Sequence, residues 1–126
     1  MNVLVDTSVW VAHFKRHLPA LANLLHRDAV VIHPFVLMEL ACGTPPAPRQ
    51  KTLADLALLN QASPASQTEI MAFIERERIY GLGCGMVDIA LLASTLITPG
   101  ARLWTLDKRL AALATRFRVA YLPKAP

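Results

Sequence analysis

Four carboxylate residues of this 126-residue chain lie inside apolar stretches. They are Asp6 in VLVDTSVWVA, Glu39 in FVLMELAC, Asp88 in GMVDIALL and Asp107 in LWTLDKRL. A carboxylate with apolar neighbours on both sides is costly to bury unless something compensates its charge. One such residue has several local explanations, but four along the whole chain predict a single acidic site that folding brings together.

The chemistry of such a site follows from charge repulsion. Two carboxylates ~4 Å apart repel by about 4 kcal/mol at an effective dielectric constant near 20. The cluster must share protons or hold a cation, and oxygen ligands without His or Cys favour Mg²⁺ or Mn²⁺ over zinc. A divalent ion held in this way activates water and stabilises charge on an attacked phosphate, so we expect phosphoryl chemistry.

Short apolar segments alternate with helical patterns along the chain. We expect strands at residues 2–5, 29–32, 102–106 and 119–122. We expect helices after Asp6 to about Phe14, at 18–26, from Pro34 to Gly43, at 49–60, from the capping-box sequence Ser66-Gln67-Thr68-Glu69 to about Tyr80, around Asp88, and from Asp107 or Lys108. This alternation is typical of α/β proteins whose parallel sheet is covered by helices on both faces. The segment TPPAP (44–48) is too short to separate domains, so we expect one domain, 1–126.

This fold class explains how distant acids would meet. In an open parallel sheet, ligands bind at the carboxyl ends of the strands. Asp6 directly follows the first predicted strand, and Asp107 follows the third. Asp88 falls in the first turn of its helix and Glu39 about a turn and a half into its own, and both helices begin at this same edge of the sheet.

Local alternatives remain open for each acid. Asp6 and Asp107 are also suited to capping helices. Asp88 also suits the positive end of a helix dipole. Glu39 lies too deep in its helix to cap it, so its alternative is a structural ion pair.

Three hydroxyl residues, Thr7, Ser8 and Thr105, stand beside the acids. Their side chains could orient a carboxylate or a water, or they could be ordinary turn and capping hydroxyls. A covalent role for Ser8 would need a positioned base, and its segment offers only carboxylates. We therefore expect hydrolysis by a metal-activated water, without a side-chain nucleophile.

Composition narrows the environment and the partners. Thirteen Lys and Arg against nine acids give a net charge of +4, which favours a polyanionic partner such as nucleic acid once four acids are gathered in one site. The hydrophobic share of 54% is a surplus that a second subunit or partner would cover. No apolar run reaches the ~20 residues of a membrane span, and the N-terminus lacks a signal-peptide pattern. Two cysteines, both expected to be buried, fit a reduced cytoplasmic environment.

Basic residues follow two of the acidic motifs. They are Lys15 and Arg16 at the end of the first helix, and Lys108 and Arg109 beside the last acid. Each pair is either a set of RNA-backbone contacts or a solvated helix end. His13 and His17 stand at i and i+4, a spacing that can bind a metal, but their helix offers no third ligand, so the four histidines are expected at the surface. Trp10 and Trp104 are expected in the core.

Four segments together resemble the PIN-domain ribonucleases, and more closely the VapC-type toxins of toxin–antitoxin pairs. They are VDTSVW at 5–10, MEL at 38–40, GLGCGMVDIALLAS at 81–94 and LWTLDKRL at 103–110. The resemblance spans essentially the whole chain in the right order. It implies a Rossmann-like three-layer fold with a short central parallel sheet, and an acidic pocket that binds Mg²⁺ or Mn²⁺ and cleaves RNA.

The resemblance also implies roles for six residues. The catalytic set is Asp6, Ser8, Glu39, Asp88, Thr105 and Asp107. Its four acids would bind the metal, with Asp6 and Asp88 as the main direct ligands, while the two hydroxyl residues occupy the family's polar positions. Cys84 stands in the glycine-rich turn, where an apolar residue is usual.

For partners, the resemblance implies a homodimer and a cognate VapB-type antitoxin. The antitoxin's C-terminal tail typically wraps the toxin and places a basic side chain in the acidic pocket. Contact with DNA is then expected only through the antitoxin, and no membrane contact is expected.

The sequence therefore predicts a Mg²⁺-dependent endoribonuclease that acts as a toxin. One alternative is a binding module that uses the same cleft without turnover, either to hold RNA or to act with an antitoxin as a DNA-bound repressor. A different phosphohydrolase on a similar sheet is less favoured, because the chain reads DTS at Asp6 and not the DxD of aspartyl-phosphate enzymes.

Overall fold

A four-stranded parallel sheet forms the centre of the molecule in a computed structural model that describes residues 1–123. The strands are β1 (Asn2–Val5), β2 (Val30–Ile32), β3 (Asn60–Gln61) and β4 (Ala101–Trp104), in the spatial order β3-β2-β1-β4. The central strand β1 pairs through Leu4 with Val31 on one side and Leu103 on the other. Because helices cover both faces, its residues Val3, Leu4 and Val5 have no exposed surface.

Seven helices connect the strands. They are α1 (Thr7–Lys15), α2 (Pro19–His26), α3 (Pro34–Cys42), α4 (Arg49–Ala57), α5 (Gln67–Glu77), α6 (Met86–Ile97) and α7 (Lys108–Arg116). Pro34 begins α3, where its missing N–H costs nothing. The predicted capping box is present at α5, since Ser66 and Glu69 bond each other's backbone N–H.

The strand order divides the helices between two faces. The chain steps outward from β1 through β2 to β3, and then crosses to the far side of β1 to form β4. Right-handed crossovers place α1–α4 on one face and α5–α7 on the other. Helix contacts agree, because α3 packs on α1 and α4, whereas α6 packs on α5 and α7. The predicted three-layer α/β fold is confirmed.

The edges of the sheet differ from the prediction. Helix α4 ends at Ala57, and Asn60–Gln61 forms an exposed edge strand where a helix was expected. A two-residue polar strand has no apolar alternation to reveal it, and only its pairing with β2 defines it. Residues 119–122 form a single parallel bridge between Leu103 and Ala120 in place of a strand. Pro123 follows and has no N–H with which to extend a ladder.

Burial corrects two of the side-chain expectations. Trp10 and Trp104 are buried as predicted, but His33 is also buried, contrary to a surface position. Cys42 is exposed at the end of α3, and Cys84 is half-buried, so the expectation that both cysteines are buried is wrong. No helix within residues 1–123 is long and apolar enough to cross a membrane.

Candidate active site

The two central strands β1 and β4 end side by side, and the sequence-predicted residues surround that point. The Asp6 backbone N–H, directly after β1, donates to the Trp104 carbonyl at the end of β4, at 2.9 Å. The chain leaves β1 toward one helical layer and β4 toward the other. This point is therefore a topological switch, where α/β sheets form a ligand crevice.

Two hydroxyl groups hold the Asp6 carboxylate. Its Oδ2 accepts hydrogen bonds from Ser8 Oγ at 2.6 Å and from Thr105 Oγ1 at 2.8 Å. The hydroxyl oxygens are themselves held, because Ser8 accepts from the Leu106 N–H and Thr105 from the Asp107 N–H, each at 3.0 Å. Asp6, only 6% exposed, is thus fixed by one residue of α1 and one residue of the loop after β4.

Glu39 is positioned by a residue outside the predicted set. Thr7 Oγ1, at the start of α1, donates to Glu39 Oε1 at 2.6 Å. This contact connects α3 to the first turn of α1. The sequence placed Thr7 beside Asp6 but held no signal that its hydroxyl would reach a residue 32 positions away.

Asp107 has the capping role that was left open from the sequence. Its Oδ1 accepts from the Leu110 N–H at 2.9 Å, so it caps α7. Asp6 also stands at a helix N-cap position, but its side chain makes no cap hydrogen bond. A capping role does not remove Asp107 from the cluster, because its Oδ2 accepts no hydrogen bond within residues 1–123.

The charges of the other three acids all act on Asp88. It lies half-buried in the first turn of α6. Burial raises the pKa of its carboxyl, and the nearby charges of Asp6, Asp107 and Glu39 raise it further, while a hydrogen bond with the Gly85 backbone lowers it. Like charges shift one another's pKa more strongly the nearer they are, so this shift agrees with the expected grouping of the four acids.

The convergence is looser than the sequence suggested. Asp6 is buried and Asp88 half-buried, but Glu39 and Asp107 are exposed. Within the described part of the chain, no three His, Cys, Asp or Glu side chains are already arranged to hold a metal ion. The donor set itself fits a hard divalent cation, because every ligand is an oxygen and the repulsion at Asp88 is of the kind that a cation relieves.

A shallow groove begins beside the cluster. It has a volume of about 440 Å³ and is lined by Ser8, Val11, Ala12, Lys15, Arg16 and Leu18. Ser8 touches the acidic cluster, whereas Lys15 and Arg16 place positive charge at the other end of α1. The groove therefore runs from Ser8, whose hydroxyl bonds Asp6, to the first predicted basic pair.

The parallel sheet with a crevice at its switch point defines an α/β protein of the open, doubly wound class, and the sequence matches one family of that class. The PIN domain model matches residues 3–116. The chain therefore belongs to the PIN domain family.

Two curated relatives refine this assignment. Ribonuclease VapC32 from two strains of Mycobacterium tuberculosis, CDC 1551 / Oshkosh and ATCC 25618 / H37Rv, is 42% identical over 118 residues, which are 94% of either chain. The resemblance to VapC-type PIN proteins is confirmed. A solved structure of VapBC-1 from nontypeable Haemophilus influenzae superposes with a TM-score of 0.71 over 98% of both chains. Its sequence identity is 13%, so this likeness shows the fold alone.

Proposed function

We propose that this protein is a Mg²⁺-dependent endoribonuclease and the toxin of a toxin–antitoxin pair. The observation that carries the proposal is the gathering of Asp6, Glu39, Asp88 and Asp107 at one switch point of a PIN fold. The 42% identity to a protein named Ribonuclease VapC32 supports the choice of RNA as substrate.

The four carboxylates are the proposed metal ligands. Asp6 and Asp88 are the main ones, because they are the least exposed and gain most from charge compensation. Glu39 and Asp107 complete the set. A bound Mg²⁺ or Mn²⁺ supplies the acidity that activates a water and the positive charge that stabilises an attacked phosphate.

The chain's own residues orient these ligands. Asp6, Glu39 and Asp107 each have one carboxylate oxygen fixed by a hydrogen bond and the other without one within residues 1–123. Fixing one oxygen of a carboxylate leaves the second free to bind and limits the rotations that binding would freeze. Ser8 and Thr105 are thus assigned to orientation, and no side chain is assigned as a covalent nucleophile.

The groove along α1 is suited to binding an extended polyanionic substrate. Phosphates of a single strand could contact Lys15 and Arg16 while Val11 and Leu18 offer apolar surface to bases. The net charge of +4 favours the same partner.

An RNA-cleavage assay with a chelator tests the proposal. Activity should disappear in EDTA, return with Mg²⁺ or Mn²⁺, and be lost in Asp6→Asn. Asp55→Asn is the matched control, because this exposed acid pairs with Lys51 on α4 and should not affect cleavage. Cleavage that persists unchanged in EDTA would exclude the metal mechanism. RNA binding without any cleavage would favour the binding module.

The partner proposals have separate tests. Exposed apolar side chains such as Met71, Leu82 and Met86 support a homodimer, and light scattering should then give about twice 13.8 kDa.

The toxin role is tested by growth. Induced expression should arrest growth in the wild type but not in Asp6→Asn. Co-expression of a VapB-type antitoxin should relieve the arrest, and DNA binding should appear only in that complex. Arrest that is equal in both variants would contradict a toxin role based on catalysis.

A further inference from the structure

The side chain of Arg109 lies against the backbone of Gly83. A Cβ atom added to Gly83 would lie 2.7 Å from Arg109 Cδ and Nη1 and 2.9 Å from Cζ. An added Cβ would make these atoms shift, but they belong to the flexible end of an exposed side chain, so the shift costs little. Gly83 has φ +85°, a conformation that favours glycine. The backbone conformation is therefore the reason for glycine at position 83, and the contact shows where the Arg109 side chain lies.

The guanidinium has no carboxylate partner in the described part of the chain. The ion pairs within residues 1–123 are Lys51–Asp55 and Arg76–Glu77. Arg109 also donates no hydrogen bond to these residues, although five N–H donors are available. The guanidinium is exposed, so its donors are available to a ligand with paired oxygens.

Charge effects on Cys84 come both from the acidic cluster and from this guanidinium. Burial raises the pKa of the Cys84 thiol, the charges of Asp88 and Asp107 raise it further, and Arg109 opposes them. The Arg109 side chain touches Gly83, the neighbour of Cys84, and Arg109 follows Asp107 by two positions at the start of α7. The guanidinium therefore lies between Asp107 and the glycine loop, defined here as residues 81–85. Arg109 stands at the rim of the site, on the opposite helical layer from the groove along α1.

We propose that Arg109, whose side chain lies against Gly83 at the rim of the site, binds a phosphate of the RNA strand next to the one that is cleaved. The guanidinium fork matches two phosphate oxygens. Placed at the rim opposite Lys15 and Arg16, it lets one strand cross the cluster with positive charge on both sides. This inference rests on the proposed nuclease function, since it assigns a contact to the substrate of that site.

Substitution of Arg109 tests the contact directly. Arg109→Gln should lower kcat/KM for RNA by about 10- to 100-fold, as expected for loss of a hydrogen-bonded charge contact. It should also reduce by about 0.7 the slope of log affinity against log salt, since one phosphate contact to a single strand is lost. Arg109→Lys keeps the charge but lacks the guanidinium fork, so its kcat/KM should lie between those of the wild type and Arg109→Gln. Arg27→Gln is the charge-matched control, because Arg27 is exposed between α2 and β2, at the opposite edge of the sheet.

Substitution of Gly83 tests whether the position of the Arg109 side chain matters. Gly83→Ala moves the guanidinium and should lower kcat/KM by less than Arg109→Gln, because the flexible side chain can still reach a phosphate. The double variant should lose no more than Arg109→Gln alone, because the moved side chain is then absent. Gly81→Ala is the control for backbone strain: Gly81 has φ +70°, and its added Cβ would meet nothing within 4 Å. We expect Gly81→Ala to lower the melting temperature but to leave cleavage by the folded protein unchanged.

RNA binding keeps this test separate from the test of catalysis. Affinity for a single-stranded RNA oligonucleotide is measured in the non-cleaving Asp6→Asn background, with and without Arg109→Gln. If the wild type cleaves no RNA but binding still needs Arg109, the nuclease proposal fails and the phosphate contact stands. If Arg109→Gln matches the parent in affinity and salt slope, if Arg27→Gln loses as much, or if no RNA binds, the inference is overturned.

Discussion

At the level of single residues, the site depends on hydroxyl groups as much as on acids. Asp6 Oδ2 receives two hydroxyl hydrogen bonds, and the donors are anchored by backbone N–H groups of the loop after β4. The orientation of the most buried carboxylate is therefore set before any ligand arrives. Such partners of metal ligands commonly change affinity or activity by about 10- to 100-fold when they are removed.

Thr105→Val should separate orientation from folding. The change keeps the side-chain shape but removes the donor to Asp6 and the acceptor for the Asp107 N–H. We expect cleavage to fall by about 10- to 100-fold while the protein stays folded, measured as kcat/KM with circular dichroism alongside. Thr95→Val is the control, because its buried hydroxyl donates to the Leu91 carbonyl within α6 and lies outside the site. Equal losses in both variants would argue against a special role for Thr105.

At the level of elements, a buried polar network joins the two helices that carry Glu39 and Asp88. His33 Nδ1 accepts from the Phe35 N–H and caps α3, so the ring proton lies on Nε2 and points to Ser94 Oγ of α6 at 3.1 Å. Ser94 Oγ also accepts from the Ala65 N–H before α5. Helices from opposite layers are thus held to each other beside the sheet.

This network should make stability depend on pH. Burial lowers the pKa of His33. For a base with a lowered folded-state pKa, the stability is present above the unfolded pKa of about 6.5 and is lost as pH falls through the folded pKa. We expect urea unfolding to show a loss of roughly 1 kcal/mol between pH 7.5 and 5, because protonation of Nδ1 breaks the cap.

Two variants test whether His33 is the residue responsible for this pH dependence. His33→Asn can still cap α3 but does not titrate, so its unfolding free energy should change less between these pH values than that of the wild type. His13→Gln should keep the His33 share of the change, although burial and the charge of His17 also lower the pKa of His13. An unchanged slope in His33→Asn would show that the network is not the titrating element.

At the level of the whole molecule, the fold gathers like charges from four separate elements. Asp6, Glu39, Asp88 and Asp107 follow or occupy β1, α3, α6 and the start of α7. Their repulsion and the partial burial of Asp88 oppose folding, as the raised pKa of Asp88 indicates. Functional sites often carry such a cost in stability.

Asp88→Asn should therefore stabilise the protein in the absence of metal. A carboxyl with a raised folded-state pKa contributes stability that is present below its unfolded pKa and is lost as pH rises through the folded pKa. In EDTA at pH 7 the variant should gain up to about 1 kcal/mol in unfolding free energy, a modest value because solvent screens a half-buried charge. The gain should vanish below about pH 4, where the acid is protonated. Asp55→Asn is the control and should give no such gain. If Asp88→Asn also gives no gain, the charge of Asp88 is not repelled in the folded protein.

Much of the architecture could be predicted from the sequence because its signals are local. β-branched runs at residues 2–5 and 29–32 predict buried strands, and Ser66 with Glu69 predicts a helix start. The edge strand β3 could not be predicted, because two polar residues leave no periodic pattern. Residues 119–122 were expected as a full strand, but they form only the bridge at Ala120. The burial of His33 could not be predicted either, because its hydrogen-bond partner Ser94 lies 61 positions away in the sequence.

The amino-acid sequence by itself determined which acids follow strands or begin helices, and so which edge of the sheet they occupy. Strand direction and helix start are properties of neighbouring residues, so local chemistry suffices for them. Only the tertiary structure decided that Thr105 reaches Asp6 across 99 positions, that Thr7 holds Glu39, and that Arg109 fills the space at Gly83. Those contacts depend on how two helical layers pack on one sheet, and hydrogen-bond distances of about 3 Å are set by that packing and not by spacing along the chain.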